Sequence, residues 1–209
     1  MIRVLIADDH RLVRRGLAQI IQDSAGMEMA AEAGDGQEAL DQAARCSADV
    51  IILDIAMPGM GGLDVLHEVK RRHPGMKIIV LSMYPEEQYA IRSFRDGASA
   101  YLTKSSAPEE LIQAIRTVAA GRRYITPSVA DKLATFVEGS VRPPHESLSS
   151  RELQVLMHIG SGKEVKEVAG EMKLSVKTVS TYRSRILVKM GLRTNAQLIR
   201  YAIEHSLAP

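Results

Sequence analysis

Four charged residues of this chain stand where a protein could do chemistry, because each lies at the end of a short apolar run. Asp8 and Asp9 follow one such run, Asp54 ends another, and Lys104 follows a third. Clustered carboxylates repel one another and need a cation, and their hard oxygen atoms suit Mg²⁺, which readily shares phosphate oxygens with a protein. A carboxylate beside a cation and a lysine is arranged to accept a phosphoryl group. We therefore predict that Asp54 is a nucleophile that forms an aspartyl-phosphate.

A predicted parallel sheet positions these residues. Apolar runs predict strands at residues 3–7, 50–54, 77–82 and 100–103, and a weak alternation of apolar and polar residues predicts another at 27–33, which makes five. Helical spacing of apolar residues predicts five helices, near residues 12–21, 36–46, 63–73, 86–96 and 108–120. This alternation over about 120 residues predicts an α/β fold with a doubly wound, five-stranded parallel sheet of strand order 2-1-3-4-5.

The predicted strand order brings the charged residues to one edge of the sheet. The first and third strands become neighbours at the point where the order reverses, which is where open α/β sheets bind ligands. Asp8, Asp9 and Asp54 would then converge on one crevice. Ser82 and Lys104, at the ends of the last two strands, would lie on its far rim. Each residue alone has an ordinary structural explanation, such as a helix cap or a surface lysine, but their convergence predicts a functional site.

The last part of the chain, residues 148–209, differs in charge and in pattern. Its net charge is +5, whereas the remainder has a net charge of −3. Ser149 and Glu152 predict a capping box at the start of a helix. A basic third helix after a helix and a turn is typical of a helix-turn-helix that enters the major groove, although a small helical bundle fits the pattern too. Four helices are predicted here, near residues 149–159, 164–172, 176–190 and 195–205.

A segment rich in turn-forming residues separates the two parts. It contains three prolines and a short helical pattern marked by Val129, Leu133 and Phe136. We therefore predict three regions, which are a first domain over residues 1–121, a linker with a short helix over 122–147, and a helical domain over 148–209.

The composition excludes some classes of protein. No apolar run approaches the roughly 20 residues that a membrane-spanning helix needs. The first apolar run meets two acids too soon for a signal peptide, so we expect a cytoplasmic protein. Cys46 is the only cysteine, which excludes an internal disulfide.

The motifs around the charged residues resemble those of the receiver domain of two-component response regulators. They are Asp8-Asp9, the segment 53–62, Leu81-Ser82 and the segment 101–104. The resemblance covers about residues 1–121, with the motifs in the family's order and spacing. It implies that Asp54 accepts its phosphoryl group from a phosphohistidine of a sensor histidine kinase.

The same resemblance implies roles for the neighbouring residues. Ser82 and Tyr101 match the family's switch pair, in which the hydroxyl moves toward the phosphoryl group and the aromatic ring fills the space that it leaves. Asp9 would bind the metal directly. The complete Mg²⁺ site would be formed by Asp8, Asp9, Asp54 and the backbone carbonyl of Ala56.

The helical part resembles the LuxR-type DNA-binding module of NarL/FixJ regulators over about residues 148–207. The motifs are the segments 148–156, 166–169, 174–182 and 189–192. In the third helix, helical spacing predicts that Val179, Tyr182, Ile186 and Met190 face the core. The other face and the flanking basic residues predict the DNA contacts, which are Lys166, Lys177, Thr178, Ser180, Thr181, Arg183, Ser184, Arg185, Lys189 and Arg193.

Together the two resemblances imply a phosphorylation-activated transcription regulator that binds promoter DNA as a homodimer, with RNA polymerase as a further candidate partner. One alternative is a DNA-binding regulator that works without phosphorylation and is controlled by a partner or by concentration. A second alternative is an enzyme, a phosphatase of the haloacid-dehalogenase type. Such an enzyme needs a second acid two residues after its nucleophile, where this chain has Ala56. We therefore expect no enzymatic activity beyond the protein's own phosphorylation and dephosphorylation.

Overall fold

The structure, a computed structural model, describes residues 1–83, 86–131, 143–205 and 207. The chain divides into two compact units, residues 1–135 and 136–209. Among the described residues, no helix is both long and apolar enough to cross a membrane.

The first unit is built around a parallel sheet in the order β2-β1-β3-β4-β5. All five residues of β3 are buried, as its unbroken apolar sequence predicts for a central strand covered on both faces. The predicted fold and strand order are therefore confirmed. The strands are β1 (Ile2–Ala7), β2 (Met27–Ala33), β3 (Val50–Asp54), β4 (Lys77–Ser82) and β5 (Ala100–Thr103).

Five helices cover this sheet. Leu17 and Ile21 of the first helix and Ile115 and Val118 of the fifth pack into one apolar cluster with alternate strand residues. The strand residues between them, such as Leu5, are buried as well, so the sheet is covered on both faces. Each fully buried aliphatic side chain of this kind contributes about 1.5–3 kcal/mol to folding. The helices are α1 (Arg11–Gln22), α2 (Gly36–Arg45), α3 (Gly62–Arg72), α4 (Glu86–Arg95) and α5 (Pro108–Ala119).

The beginning of the predicted linker belongs to the first unit. Tyr124 forms a β-bridge with Ala100 and packs against the core of the sheet. Residues 127–131 are helical and Val129 is buried, which agrees with the short helical pattern in the sequence. The two other marked residues of that pattern, Leu133 and Phe136, lie outside the described residues.

The second unit is helical throughout its described part. A short 3₁₀ helix (Pro144–Ser147) precedes the first helix, and the predicted capping box is present there. The Ser149 hydroxyl accepts a hydrogen bond from the Glu152 N–H, and the Glu152 carboxylate accepts one from the Ser149 N–H at 2.7 Å. The helices are α6 (Ser150–Gly160), α7 (Val165–Glu171), α8 (Val176–Met190) and α9 (Asn195–Glu204).

Candidate functional site

The carboxyl ends of the strands place the predicted residues side by side. β1 and β3 pair in register through Ala7 and Leu53, so the residues that follow each of them, Asp8 and Asp54, meet at one edge. Both aspartates are buried, at 2% and 1% exposure. Because parallel strands have their carboxyl ends at the same edge of the sheet, residues that are far apart in sequence line one crevice there.

Lys104 lies between the two aspartates and not on the far rim that the sequence predicts. Its Nζ atom is 2.6 Å from Asp8 Oδ2 and 2.8 Å from Asp54 Oδ2, and only 6% of its side chain is exposed. Its backbone stays beside β4, where its N–H donates to the Ser82 carbonyl at 2.7 Å. The predicted rim position is therefore confirmed for the backbone of Lys104 and wrong for its ammonium. The four-carbon side chain places the ammonium on the other side of the crevice, between the aspartates.

Burial and pairing shift the acid–base properties of this pair. Burial raises the pKa of Asp54 above its usual value, although Lys104 opposes that shift by favouring the carboxylate. Burial also disfavours the charged form of Lys104, but the carboxylates of Asp54 and Asp8 outweigh it and raise the pKa of the lysine. Lys104 therefore stays protonated, and Asp54 is a more basic carboxylate than an exposed aspartate.

The segment after Asp54 packs tightly against it. The Ala56 N–H donates to Asp54 Oδ1 at 3.1 Å, and the Gly62 N–H donates to the Ile55 carbonyl at 3.0 Å. A Cβ atom on Gly62 would lie 1.9 Å from the Asp54 carbonyl oxygen, so only glycine permits α3 to begin so close to β3. The helix start thus fixes the loop that carries the proposed metal-binding carbonyl of Ala56.

Asp9 and His10 complete the acidic side of the crevice. The His10 Nδ1 atom is 2.8 Å from Asp9 Oδ1 and 3.4 Å from Asp8 Oδ1. Within the described residues, Asp8, Asp9, His10 and Asp54 offer ligand atoms that all lie within 4.8 Å of one another. Three carboxylates at this spacing fit a hard divalent cation such as Mg²⁺. His10 was not among the site residues predicted from the sequence, although its position directly after Asp8-Asp9 was a signal.

The two residues of the predicted switch pair lie on neighbouring strands. Ser82 ends β4 opposite Thr103, and Tyr101 lies two residues before Thr103 on β5. Because residues two apart on a strand share a face, Ser82 and Tyr101 face the same side of the sheet. Both are buried, at 0% and 1% exposure.

The second candidate site is the surface of α8. Val179, Ile186 and Met190 are buried as predicted, so the opposite face of α8 points away from the core. Tyr182, also predicted to be core, is half-buried and lines a shallow groove on that surface. The groove, called the α8 groove below, is lined by Lys177, Thr178, Thr181, Tyr182 and Arg185.

The predicted DNA contacts on and around α8 differ in exposure. Two hydroxyls bond within the helix, since Thr181 Oγ1 donates to the Lys177 carbonyl at 2.9 Å and Ser184 Oγ donates to the Ser180 carbonyl at 3.0 Å. Thr178 and Arg183 are half-buried. The exposed members are Lys166, Lys177, Ser180, Thr181, Ser184, Arg185, Lys189 and Arg193.

Two of the predicted DNA contacts hold the helices together. Arg183 Nε donates to the Asn195 side chain at the start of α9. Lys189 Nζ lies 2.6 Å from Glu152 Oε2, and the Glu152 side chain is only 3% exposed. Although burial favours the neutral acid, hydrogen bonds from Lys189 and Ser149 lower the pKa of Glu152. Glu152 thus joins the start of α6 to the end of α8.

Known proteins resemble both units. The family described as response regulator receiver domain matches residues 4–116, and the family described as bacterial regulatory proteins, luxR family, matches residues 146–202. The chain is 37% identical to the response regulator GacA of Pseudomonas aeruginosa, over 99% of this chain and 98% of GacA. It is also 37% identical to the response regulator UvrY of Escherichia coli K12, over 99% of this chain and 96% of UvrY.

Solved structures show the same likeness. The RcsB response regulator of Salmonella typhimurium matches over 97% of this chain and all of its own, with a TM-score of 0.64 and 26% identity. A LuxR-family response regulator from Aurantimonas sp. SI85-9A1 matches over 66% of this chain and 98% of its own, with a TM-score of 0.61 and 34% identity. The chain therefore belongs to the two-component response regulators that join a receiver domain to a LuxR-type DNA-binding domain, and it is a transcription regulator of a two-component system.

Proposed function

We propose that this protein is activated by phosphorylation, with Asp54 accepting a phosphoryl group from a sensor histidine kinase in a Mg²⁺-dependent reaction. The observation that carries the proposal is the contact of the Lys104 ammonium with the carboxylates of both Asp8 and Asp54. An ammonium in that position can neutralise negative charge beside the nucleophile as a phosphoryl group arrives. The proposed regions are a receiver over residues 1–121, a linker over 122–147 and a DNA-binding domain over 148–209.

In the proposed transfer, a carboxylate oxygen of Asp54 attacks the phosphorus atom. The phosphorus–nitrogen bond of the kinase phosphohistidine breaks, and its electron pair stays on the imidazole nitrogen. Lys104 stabilises the negative charge of the transferred group, and the Ala56 N–H orients the Asp54 carboxylate. Bound Mg²⁺ supplies further positive charge for the phosphoryl oxygens. Asp8, Asp9, Asp54 and the Ala56 carbonyl are the proposed ligands.

The proposed signal passes from the phosphoryl group to the surface of the receiver through Ser82 and Tyr101. Ser82 lies at the end of the strand next to Asp54, since Asp54 pairs with Leu81 in the sheet. A phosphoryl oxygen can accept a hydrogen bond from the Ser82 hydroxyl, and movement of that hydroxyl would leave space for the Tyr101 ring. Phosphorylation would in this way shift an existing equilibrium between two receiver conformations.

The proposed output is homodimerisation and binding of double-stranded promoter DNA by the α8 surface. The exposed basic and hydroxyl side chains of the α8 groove support this role, because such groups contact phosphates and base edges. RcsB of Salmonella, which this chain resembles at 25% identity, has been solved bound to a promoter in the presence of the phosphomimetic BeF₃⁻. We propose that this chain acts in the same manner, in the cytoplasm where the chromosome lies, with RNA polymerase as a candidate partner.

The test compares wild type with Asp54→Asn, with and without Mg²⁺ and beryllofluoride. A DNA duplex enriched from a random pool by the protein serves as the operator, and light scattering measures the oligomeric state. We expect tighter DNA binding and dimer formation in wild type only when beryllofluoride is present. DNA binding that is equally tight in every sample would instead support the phosphorylation-independent regulator. The phosphatase alternative has no support here, because Ala56 replaces its second acid and the relatives are response regulators.

A further inference from the structure

His10 gives the acidic crevice a nitrogen donor beside its oxygen donors. Its side chain is 61% exposed, so the ring stands at the mouth of the crevice with the aspartates below it. The Nδ1 atom is 2.8 Å from Asp9 Oδ1 and 3.4 Å from Asp8 Oδ1. The ring therefore shares the space to which the carboxylates point.

The paired atoms of His10 and Asp9, which lie at the distance of an ion pair, are also close enough to bind one metal ion in place of the proton between them. In an octahedral site with bonds of about 2.1 Å, adjacent donors lie about 3.0 Å apart and opposite donors about 4.2 Å apart. The separation of 2.8 Å between His10 Nδ1 and Asp9 Oδ1 is close to the first value. The whole group of donors on Asp8, Asp9, His10 and Asp54 spans no more than 4.8 Å. Small side-chain movements would bring all of them to one cation.

The backbone holds His10 at this place. Its backbone N–H donates to Asp8 Oδ1 at 2.8 Å. Its backbone is extended, and it is the N-cap residue of α1. The Arg14 guanidinium, one turn further along α1, donates to the Asp8 carbonyl at 2.6 Å and holds the helix start against the end of β1. The strand-to-helix turn thus fixes the backbone of His10, and the contacts with Asp9 and Asp8 hold its ring at the crevice.

We infer that His10 is an additional ligand of the divalent cation, and that it makes the crevice selective for metals that bind imidazole. The inference rests on the metal site of the proposed function. Imidazole suits Ni²⁺ and Zn²⁺, whereas Mg²⁺ prefers oxygen ligands and keeps its waters. The preference of this crevice for Ni²⁺ over Mg²⁺ therefore exceeds that of an all-oxygen crevice.

The experiment measures metal binding directly, in the full-length protein. Isothermal titration gives the affinities for Mg²⁺ and Ni²⁺, and pulsed electron paramagnetic resonance of bound Mn²⁺ detects a nitrogen nucleus in the metal's coordination sphere. The variants are His10→Asn, which keeps a favourable residue at the helix start, and His67→Asn, which removes another exposed histidine as a matched control. Asp9→Asn reports whether the cation occupies the crevice.

We expect His10→Asn to weaken Ni²⁺ binding by at least about tenfold, to leave Mg²⁺ binding nearly unchanged, and to abolish the nitrogen signal of Mn²⁺. His67→Asn should behave like wild type in all three measurements. Equal losses for both metals, or an unchanged nitrogen signal in His10→Asn, would overturn the role of His10 and leave the Mg²⁺ site intact. Cation binding that Asp9→Asn does not weaken would overturn the metal site itself.

Discussion

The crevice and the α8 surface solve the problem of placing functional groups in different ways. Asp8, Asp54 and Lys104 come from three segments far apart in sequence, and the sheet brings the buried Lys104 ammonium within 3 Å of both carboxylates. The α8 groove takes its side chains from one helix and leaves them largely exposed. The geometry of the crevice depends on the whole receiver fold, whereas that of the groove depends on helical spacing. Substitutions should therefore disturb the crevice far more than the groove.

An ion pair in each unit shows the same contrast. Lys104 is 6% exposed and contacts two carboxylates that are almost completely buried. Lys189 is 42% exposed and contacts a single buried carboxylate, that of Glu152. Water can partly replace the hydrogen bonds of the Lys189 ammonium, but it has little access to the Lys104 ammonium. The unfolding free energy that is lost when one partner of an ion pair is removed is thus larger when the pair is more deeply buried.

The largest expected effect is that of Gly62→Ala on the crevice. The added Cβ would lie 1.9 Å from a backbone oxygen, which cannot move aside without displacing β3. We expect the receiver unit to lose about 3 kcal/mol of unfolding free energy. Urea denaturation followed by circular dichroism measures the loss. Gly75→Ala is the control, because a Cβ there meets nothing within 4 Å. Equal stability of the two variants would show that the contact between α3 and β3 is not tight.

The next largest difference should appear between Lys104→Met and Lys189→Met. Removal of the Lys104 ammonium leaves two buried carboxylates without their shared cation, which should cost about 3 kcal/mol at pH 7. Lys189→Met should cost about 1 kcal/mol, because the lysine is partly exposed and Ser149 still donates to Glu152. Urea denaturation of both variants at low and high salt tests this order. A reversed order would mean that burial does not control these ion pairs.

The two units should also respond to acid in opposite directions. Burial, with His205 nearby, lowers the pKa of His145 from 6.5 to about 4. The stability that neutral His145 contributes is therefore complete above pH 6.5 and is lost as the pH falls from 6.5 to about 4, by about 2 kcal/mol after allowance for partial exposure. Burial raises the pKa of Asp54, so the cost of its buried charge disappears as the pH falls through that raised value.

Hydrogen exchange of the full chain between pH 7.5 and 4.5, corrected for intrinsic rates, reports on each unit separately. The protection of the backbone amides of α9 should fall as the pH is lowered, because the Tyr201 hydroxyl of this helix lies 2.8 Å from His145 Nδ1. His145→Gln should remove much of this pH dependence while retaining a polar side chain at that position. A helical unit that keeps its protection down to pH 4.5 would contradict the prediction.

The smallest effect on stability is expected in the α8 groove. Lys177→Ala should change the unfolding free energy by no more than about 0.5 kcal/mol, since Lys177 is exposed. It should nevertheless weaken DNA binding and reduce the slope of log affinity against log salt by about one. Arg200→Ala is a suitable control, because this exposed arginine pairs with Glu204 on α9. Fluorescence anisotropy at several salt concentrations distinguishes the two variants.

The sequence alone determined the elements and their order. Unbroken apolar runs indicated the buried strands, and the 3.6-residue period indicated the helices, because both patterns are local consequences of backbone geometry. The strand order placed Asp8 and Asp54 at one edge, and the capping box of Ser149 and Glu152 was readable from two residues. The roles of the site residues and the domain boundaries remain predictions that the experiments above test.

Only the tertiary structure decided where the ends of the side chains lie. The sequence could not show that the Lys104 ammonium sits between two carboxylates, that Lys189 is held by Glu152, or that His10 approaches Asp9. It also misplaced Tyr182, because helical spacing gives the direction of a side chain but not how much of it neighbouring helices cover. Periodicity fixes the face on which a residue lies. The charged end of a long side chain lies beside buried groups of opposite charge. Only the assembled fold brings those groups to their positions.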